Sequence, residues 1–361
     1  MKYKKTKYAL IAGARPNFVK IMPLYHMLKK RGDNFFLVNT GQHFDKSMSD
    51  QFFKEFKLRP HFSLKPSHES LARQLSDIVH GLEIIFRKEK PDVIFVVGDV
   101  TSTLAGALVA NKLGILLVHI EAGLRSHNKY MPEETNRIIV DHLSNIRLAS
   151  EETALKNLED ERIEHNSYLV GNIMMDTLSH FLPIIKSSKE KFYFCTLHRP
   201  ENVDNPEVFK DIIDALEEIS KDAKIYLSLH PRTRRRAEEF GLLKRIENIF
   251  KVLSPLSYSK TLFYQKNAKL VLTDSGGIQE EASFMGVPCI TLRTETERPI
   301  TVTHGTNIIA GVTTQSILDI YKKVKSNGLE KRKTKIPLWD GKATKRILDI
   351  ISLHNQRKIK R

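Results

Sequence analysis

KLVLTDSGGIQEEASFM, residues 269–285, decides how this chain is built. After Lys269 the run LVLT is largely apolar with two β-branched residues, as a strand buried in a parallel sheet should be, and QEEASFM reads as helix. Asp274, Ser275, Gly276 and Gly277 join the two. Glycines at that junction let the backbone approach a ligand, and the N–H groups of the first helical turn favour an anion. Glu281, further along the helix, suits a ribose diol, whose hydroxyls donate, better than phosphate oxygens. An ordinary strand-glycine-helix turn has the same local sequence, so the rest of the chain must decide.

Outward from this segment, apolar runs alternate with helical stretches. YALIAGA (8–14), FFLVNTG (35–41), DVIFVVGD (92–99), LLVHIEAG (116–123), IRLAS (146–150) and SYLVGN (167–172) form one series. FYFCTLH (192–198), KIYLSLHP (224–231), IFKVLSP (249–255), KLVLTDSG (269–276), PCITLR (288–293) and NIIAGV (307–312) form another. Such alternation belongs to doubly wound parallel sheets. At 361 residues the chain exceeds one ordinary core. The expectation is therefore an α/β protein with two Rossmann-like domains, residues 1–172 and 173–344, facing a central cleft. The helix-like MMDTLSHFLPIIK falls at the boundary, and an amphipathic helix over about 345–361 caps the second domain or packs back on the first.

Composition narrows the function. A formal charge of +16, from 58 basic and 42 acidic residues, suits an anionic ligand. Basic residues are scattered without an aromatic-basic stripe, which argues against nucleic acid, and Arg232–Arg236 reads as a solvated helix face. Two cysteines, Cys195 and Cys289, sit in apolar runs and exclude a disulfide framework or cysteine-rich zinc site. MKYKKTKYALIAGA is too short in its apolar part for a signal peptide, and no run reaches membrane length. A reduced, cytoplasmic protein without metal or cofactor is expected.

The unusual polar clusters fall at carboxyl ends of predicted strands, where open α/β sheets bind ligands. Arg15 and Asn17 follow the first strand, Gln42 and His43 the second, Asp99 the third, Glu121 and Arg125 the fourth. His198 and Arg199, His230 and Arg232, and Asp274 and Ser275 do the same in the second series. Asp99, Glu121 and Glu133 are candidate acid and base groups, since neighbouring carboxylates shift one another's pKa. Asp99 also fits a helix N-cap, and Glu133 or Glu134, after Pro132, a first-turn cap. Glu121 sits in a buried-looking strand, where a carboxylate is costly without a reason. The two His-Arg pairs suit pyrophosphate. Arg298-Pro299 and His304-Gly305-Thr306-Asn307 form another polar loop.

The ordered set GARPNFVK (13–20), TGQH (40–43), GDVTST (98–103), HIEAGLRS (119–126), PEETNR (132–137), LHRPEN (197–202), DSGGIQEEA (274–282) and ERPITVTHGTN (297–307) resembles the non-hydrolysing UDP-N-acetylglucosamine 2-epimerases. The match spans almost the whole chain in family order. It implies the two-domain glycosyltransferase-B type fold, a homodimer and a UDP-sugar substrate. It also implies reversible C2 epimerisation of UDP-N-acetylglucosamine, by elimination of UDP to 2-acetamidoglucal and re-addition, for polysaccharide or cell-surface glycan synthesis.

By motif position, Asp99, Glu121 and Glu133 match the family's catalytic acids, with His198 and Arg137 in support. Arg15, Lys20, His230, Ser275, Gly276, Gly277, Glu281 and Arg298 match nucleotide contacts. Gln42, His43, Arg199 and His230 match a regulatory site of some bacterial members, although Phe44-Asp45 departs from the usual residues after TGQH. The loop HNKYMPEE is shorter than its counterpart in many enterobacterial-type enzymes. The intact HIEAGLRS favours plain UDP-N-acetylglucosamine over a related UDP-2-acetamido sugar. A hydrolysing epimerase releasing free N-acetylmannosamine, and a glycosyltransferase of the same fold, remain the alternatives.

Overall fold

The computed structural model describes residues 5–42 and 52–359, and its contacts divide the chain into two compact units. One unit runs to His180 and takes in the residues from Pro337 onward; the other is Phe181–Ile336. The helix-like segment at the expected boundary is a helix, Met174–Phe181, followed by one 3-10 turn, Leu182–Ile184.

In the first unit, strands β1 (Lys7–Ala12), β2 (Asn34–Asn39), β3 (Phe62–Ser63), β4 (Val93–Val97), β5 (Leu116–Ala122), β6 (Ile146–Ala149) and β7 (Ser167–Leu169) form a parallel sheet in the order 3-2-1-4-5-6-7. The central strand β4, VIFVV, is buried throughout, as a strand covered by helices on both faces must be. The sequence pattern did not anticipate β3, whose two residues pair with Val38 and Asn39 at the sheet edge. Two residues carry too little periodicity to be read.

The second unit contains β8 (Tyr193–Leu197), β9 (Ile225–Leu229), β10 (Lys251–Leu253), β11 (Leu270–Thr273), β12 (Cys289–Thr291) and β13 (Asn307–Ile309). Their order, 10-9-8-11-12-13, repeats the 3-2-1-4-5-6 arrangement, again all parallel. The expected α/β class with two Rossmann-like units is thus borne out. In each sheet the strand order reverses once, between β1 and β4 and between β8 and β11, and such switch points open a crevice at the strands' carboxyl ends.

The final helix, Ala343–Ile359, belongs to the first unit. Asp176, on the helix Met174–Phe181, accepts hydrogen bonds from the backbone N–H groups of Ala343 (3.0 Å) and Thr344 (2.8 Å). This carboxylate caps a helix that starts 167 residues later in the chain. Replacing Asp176 with alanine is expected to cost the fold about 1–2 kcal/mol, read as a lower urea midpoint with unchanged slope.

Candidate active site

At the first unit's switch point, the turn after β1 is fixed by Asn17. Its Oδ1 accepts from the N–H groups of Gly13 (3.4 Å) and Ala14 (3.2 Å), and its Nδ2 donates to the Val97 carbonyl at the end of β4 (2.8 Å). That tie brings the helix Arg15–Arg31, which carries Arg15 and Lys20, to the end of β4, where a Cβ on Gly98 would lie 3.6 Å from Lys20 Nζ. Arg15 stacks its guanidinium over the Phe52 ring at 4.9 Å. Buried Lys20 forms an ion pair with Glu121.

Glu121 is 7% exposed and lies in β5 with φ 71°, a left-handed conformation that costs a non-glycine residue free energy. The register of β5 against β6 slips between Ile120 and Ala122, so Glu121 occupies a β-bulge. Bulges re-aim side chains, and here the bulged residue is a carboxylate held on a lysine. Asp99 lies just beyond β4, and the Gly98 N–H donates to the Ile120 carbonyl (3.0 Å), placing the two strand ends side by side.

Asp99 does not cap the following helix, Thr101–Lys112, whose N-cap is Val100 without a side-chain bond. It accepts from Arg137 Nη2 at 2.5 Å, and its carbonyl accepts from Asn136 Nδ2 at 2.8 Å. Arg137 also donates to Glu134 at 2.9 Å. Asp99 and Glu121 are therefore each matched with a cation. The sequence argument had carboxylates beside one another; the structure gives opposite-charge pairs.

Pro132 opens the helix Pro132–Leu143, and Glu133 and Glu134 occupy its first turn. Glu133 is exposed, whereas Glu134 is buried and accepts from the Ser126 N–H (2.9 Å), the Ser126 hydroxyl (3.0 Å) and the His127 N–H (2.9 Å). Burial pushes the Glu134 pKa up, and these donors together with Arg137 bring it below the usual carboxylate value. The second glutamate thus anchors the HNKYMPEE loop, a role that no spacing rule distinguishes from that of its neighbour.

The second switch point is organised by Asp274, which is fully buried. One oxygen accepts from the N–H groups of His198 and Arg199, both at 2.9 Å, and the other lies 3.0 Å from His198 Nδ1. Burial raises the Asp274 pKa, but attraction to His198 and these hydrogen bonds dominate and hold it below the usual value. The His198 and His230 ring centres are 5.8 Å apart. His230 accepts from the Arg232 N–H and so starts the helix Pro231–Glu239. Within the basic cluster, Arg232 and Arg236 both pair with Asp204.

The helix Gly276–Met285 begins after Ser275, which makes no side-chain cap. A Cβ on Gly277 would meet nothing within 4 Å, so the first turn borders open space. Its N–H groups point where an anion would bind. Arg298 lies beside Gly276 and pairs with Glu280 at 3.1 Å. Arg199 lies 3.5 Å from Glu297, a carboxylate also held by Arg293.

Glu281, 5% exposed, accepts from Gln265 Nε2 at 2.6 Å, with Tyr258 as a further partner. Burial pushes its pKa up to about 7. A raised carboxyl pKa means the folded state holds a proton that the unfolded chain releases. This residue's burden on stability therefore grows as pH rises from about 4.3 to about 7. Glu281→Gln is expected to stabilise the ligand-free protein at pH 8 by roughly 3 kcal/mol and to flatten that pH dependence, measured by urea unfolding across the range. The same change is expected to weaken UDP binding.

Of the remaining expected residues, Gln42 accepts from the Ser102 N–H (2.9 Å) and hydroxyl (2.7 Å), which ties it to the start of the helix Thr101–Lys112. His43 lies outside the described residues. Arg125 is buried against Asp141 and Glu161 and serves the fold.

The family model for UDP-N-acetylglucosamine 2-epimerase matches residues 26–352. A UDP-N-acetylglucosamine 2-epimerase of Methanococcus maripaludis is 39% identical over 364 residues, 96% of this chain and 98% of its own. A UDP-2,3-diacetamido-2,3-dideoxy-D-glucuronate 2-epimerase of Pseudomonas aeruginosa is 38% identical over 324 residues, 87% of this chain and 90% of its own. The crystal structure of Methanocaldococcus jannaschii UDP-GlcNAc 2-epimerase in complex with UDP-GlcNAc and UDP superposes with a TM-score of 0.88 at 38% identity, covering 96% of this chain and all of that one. Two parallel α/β units of this sequence pattern define a nucleotide-sugar enzyme of the glycosyltransferase-B fold class. The chain belongs to the UDP-N-acetylglucosamine 2-epimerase family.

Proposed function

We propose that this chain interconverts UDP-N-acetylglucosamine and UDP-N-acetylmannosamine at C2 without net hydrolysis. The observation that carries this reading is the pair of ionic couples, Asp99 with Arg137 and Glu121 with Lys20, at the ends of two adjacent strands. A carboxylate takes the C2 proton while the C1–O bond breaks and UDP departs with its electron pair, leaving 2-acetamidoglucal. A UDP oxygen then re-bonds to C1 as a proton reaches the opposite face of C2. That proton is weakly acidic, so the rate depends on positioned carboxylates and on stabilisation of the departing pyrophosphate.

Asp99, Glu121 and Glu133 are the proton-transfer candidates, supported by Arg137 and His198. Ser275, Gly276, Gly277, His230 and Arg298 on the second unit are the diphosphate candidates and Glu281 the ribose candidate, with Arg15 a phosphate candidate on the first unit. Lys20 serves as the counter-charge of Glu121, a role closer to the chemistry than a phosphate contact alone. Two buried thiols fit a reducing cytoplasm, and a homodimer supplying glycan synthesis is the assembly and role that the reading implies.

Incubation with UDP-N-acetylglucosamine is expected to give an equilibrium mixture containing UDP-N-acetylmannosamine. Stoichiometric free UDP and N-acetylmannosamine would overturn this in favour of hydrolysis. The 38% identity to the diacetamido-glucuronate enzyme supports a second reading, in which the sugar is a diacetamido uronate. Comparing kcat/KM for the two UDP-sugars decides between them.

A further inference from the structure

His119 lies in β5, two residues before Glu121, with no exposed surface. Its Nε2 is 2.9 Å from the Gly98 carbonyl and its Nδ1 2.6 Å from Oδ1 of Asp141, which is equally buried. A carbonyl oxygen only accepts, so Nε2 carries a proton and donates. Burial raises the Asp141 pKa, but His119 and Arg125 outweigh it and keep this group below the usual value. Its carboxylate therefore accepts as well, from Nδ1 on one oxygen and from the Gly123 N–H (3.0 Å) and Arg125 Nη1 (2.8 Å) on the other. Arg147, paired in register with His119 on β6, completes the surroundings by donating to the Asp141 carbonyl at 2.6 Å.

These bonds end on the two kinks that present the candidate catalytic carboxylates. Gly98, with φ 68°, is the residue through which β4 turns into Asp99. Gly123, with φ 81°, ends the turn that begins with Glu121 at φ 71°. A Cβ on Gly123 would lie 2.2 Å from the Ala154 carbonyl oxygen, so only glycine fits this kink. One buried couple thus grips the backbone on both sides, at the residue before Asp99 and at the second residue after Glu121.

We propose that His119 and Asp141 form a positioning pair that fixes Asp99 and Glu121 relative to each other for C2 proton transfer. The inference rests on the epimerase reading above. Its alternative is a core histidine that is merely satisfied, and two substitutions separate the cases. In His119→Asn the amide replaces Nδ1, so the Asp141 bond survives and the Gly98 bond is lost. In His119→Gln the amide reaches the Nε2 position, so the Gly98 bond survives.

His119→Asn is expected to lower kcat about 100-fold, the scale of a misplacement of about 1 Å, with KM for the UDP-sugar within about threefold. His119→Gln keeps the Gly98 bond but breaks the tie to Asp141, so it should lower kcat by an intermediate factor of about tenfold, with KM again within about threefold. Parent-like kcat in His119→Asn, or equal losses in both variants that track their folded fraction, would overturn the proposal. Neutron diffraction of the unmodified protein gives a readout independent of variants and of turnover. Deuterium on Nε2 directed at the Gly98 oxygen is expected, and a bare Nε2 would refute the pair. An unmodified protein that shows that deuterium but does not epimerise UDP-sugars would instead sink the epimerase reading.

Discussion

Glu121→Gln is expected to cut epimerisation at least about 1,000-fold while leaving UDP affinity within about twofold of the parent. Glutamine has the same length, and its amide oxygen still accepts from Lys20, but it cannot take a proton at neutral pH. The left-handed backbone at this position constrains both residues alike, so the variant retains the bulge that aims the side chain. UDP is proposed to bind mainly through residues of the second unit, which the substitution leaves unchanged. Turnover near that of the parent would show that Glu121 is a structural partner of Lys20 only. A parallel loss of UDP affinity would place the residue in the nucleotide site.

Asp274→Ala is expected to destabilise the second unit by roughly 4 kcal/mol and to abolish measurable UDP binding. Two backbone N–H groups and the His198 ring depend on this fully buried carboxylate, and alanine leaves those donors without that acceptor. The turn that carries His198 and Arg199 would then lose its tie to the end of β11. The depressed pKa gives the pH dependence. The contribution of Asp274 is complete above the unfolded carboxylate pKa of about 3.9 and is lost as pH falls through the lower folded value. Stability of the parent should therefore fall in acid below about pH 4, and the variant should lack that share of the decline.

Much of the fold is legible in local pattern. The β-branched runs of β4, β5 and β11 are strands because each is covered on both faces, and the parallel α/β class follows from their alternation with helices. What local pattern cannot carry is pairing across long separations. Lys20 meets Glu121 from 101 positions away (121 minus 20), and Asp274 fastens a turn 76 residues earlier. Both are polar residues beside glycine-containing motifs, and nothing in their spacing names the partner.

The adjacent glutamates show a finer limit. Glu133 and Glu134 share one helical turn, yet only Glu134 is turned inward to hold the Ser126-His127 backbone. The bulge at Glu121 is equally hidden, because a single slipped residue leaves the apolar pattern of β5 unchanged. Reading Asp99 as a cap failed for a related reason. The helix starts two residues later, and the carboxylate turns to Arg137, 38 residues away.

The most direct test is epimerisation of UDP-N-acetylglucosamine in heavy water, read by proton NMR at C2. The account predicts that deuterium appears at C2 of the epimerised product and, through reversal, in recovered substrate. Formation of UDP-N-acetylmannosamine with the original C2 proton fully retained would contradict proton transfer through solvent-exchangeable carboxylates. Absence of any C2 exchange with transfer of the sugar to an acceptor would contradict epimerisation itself.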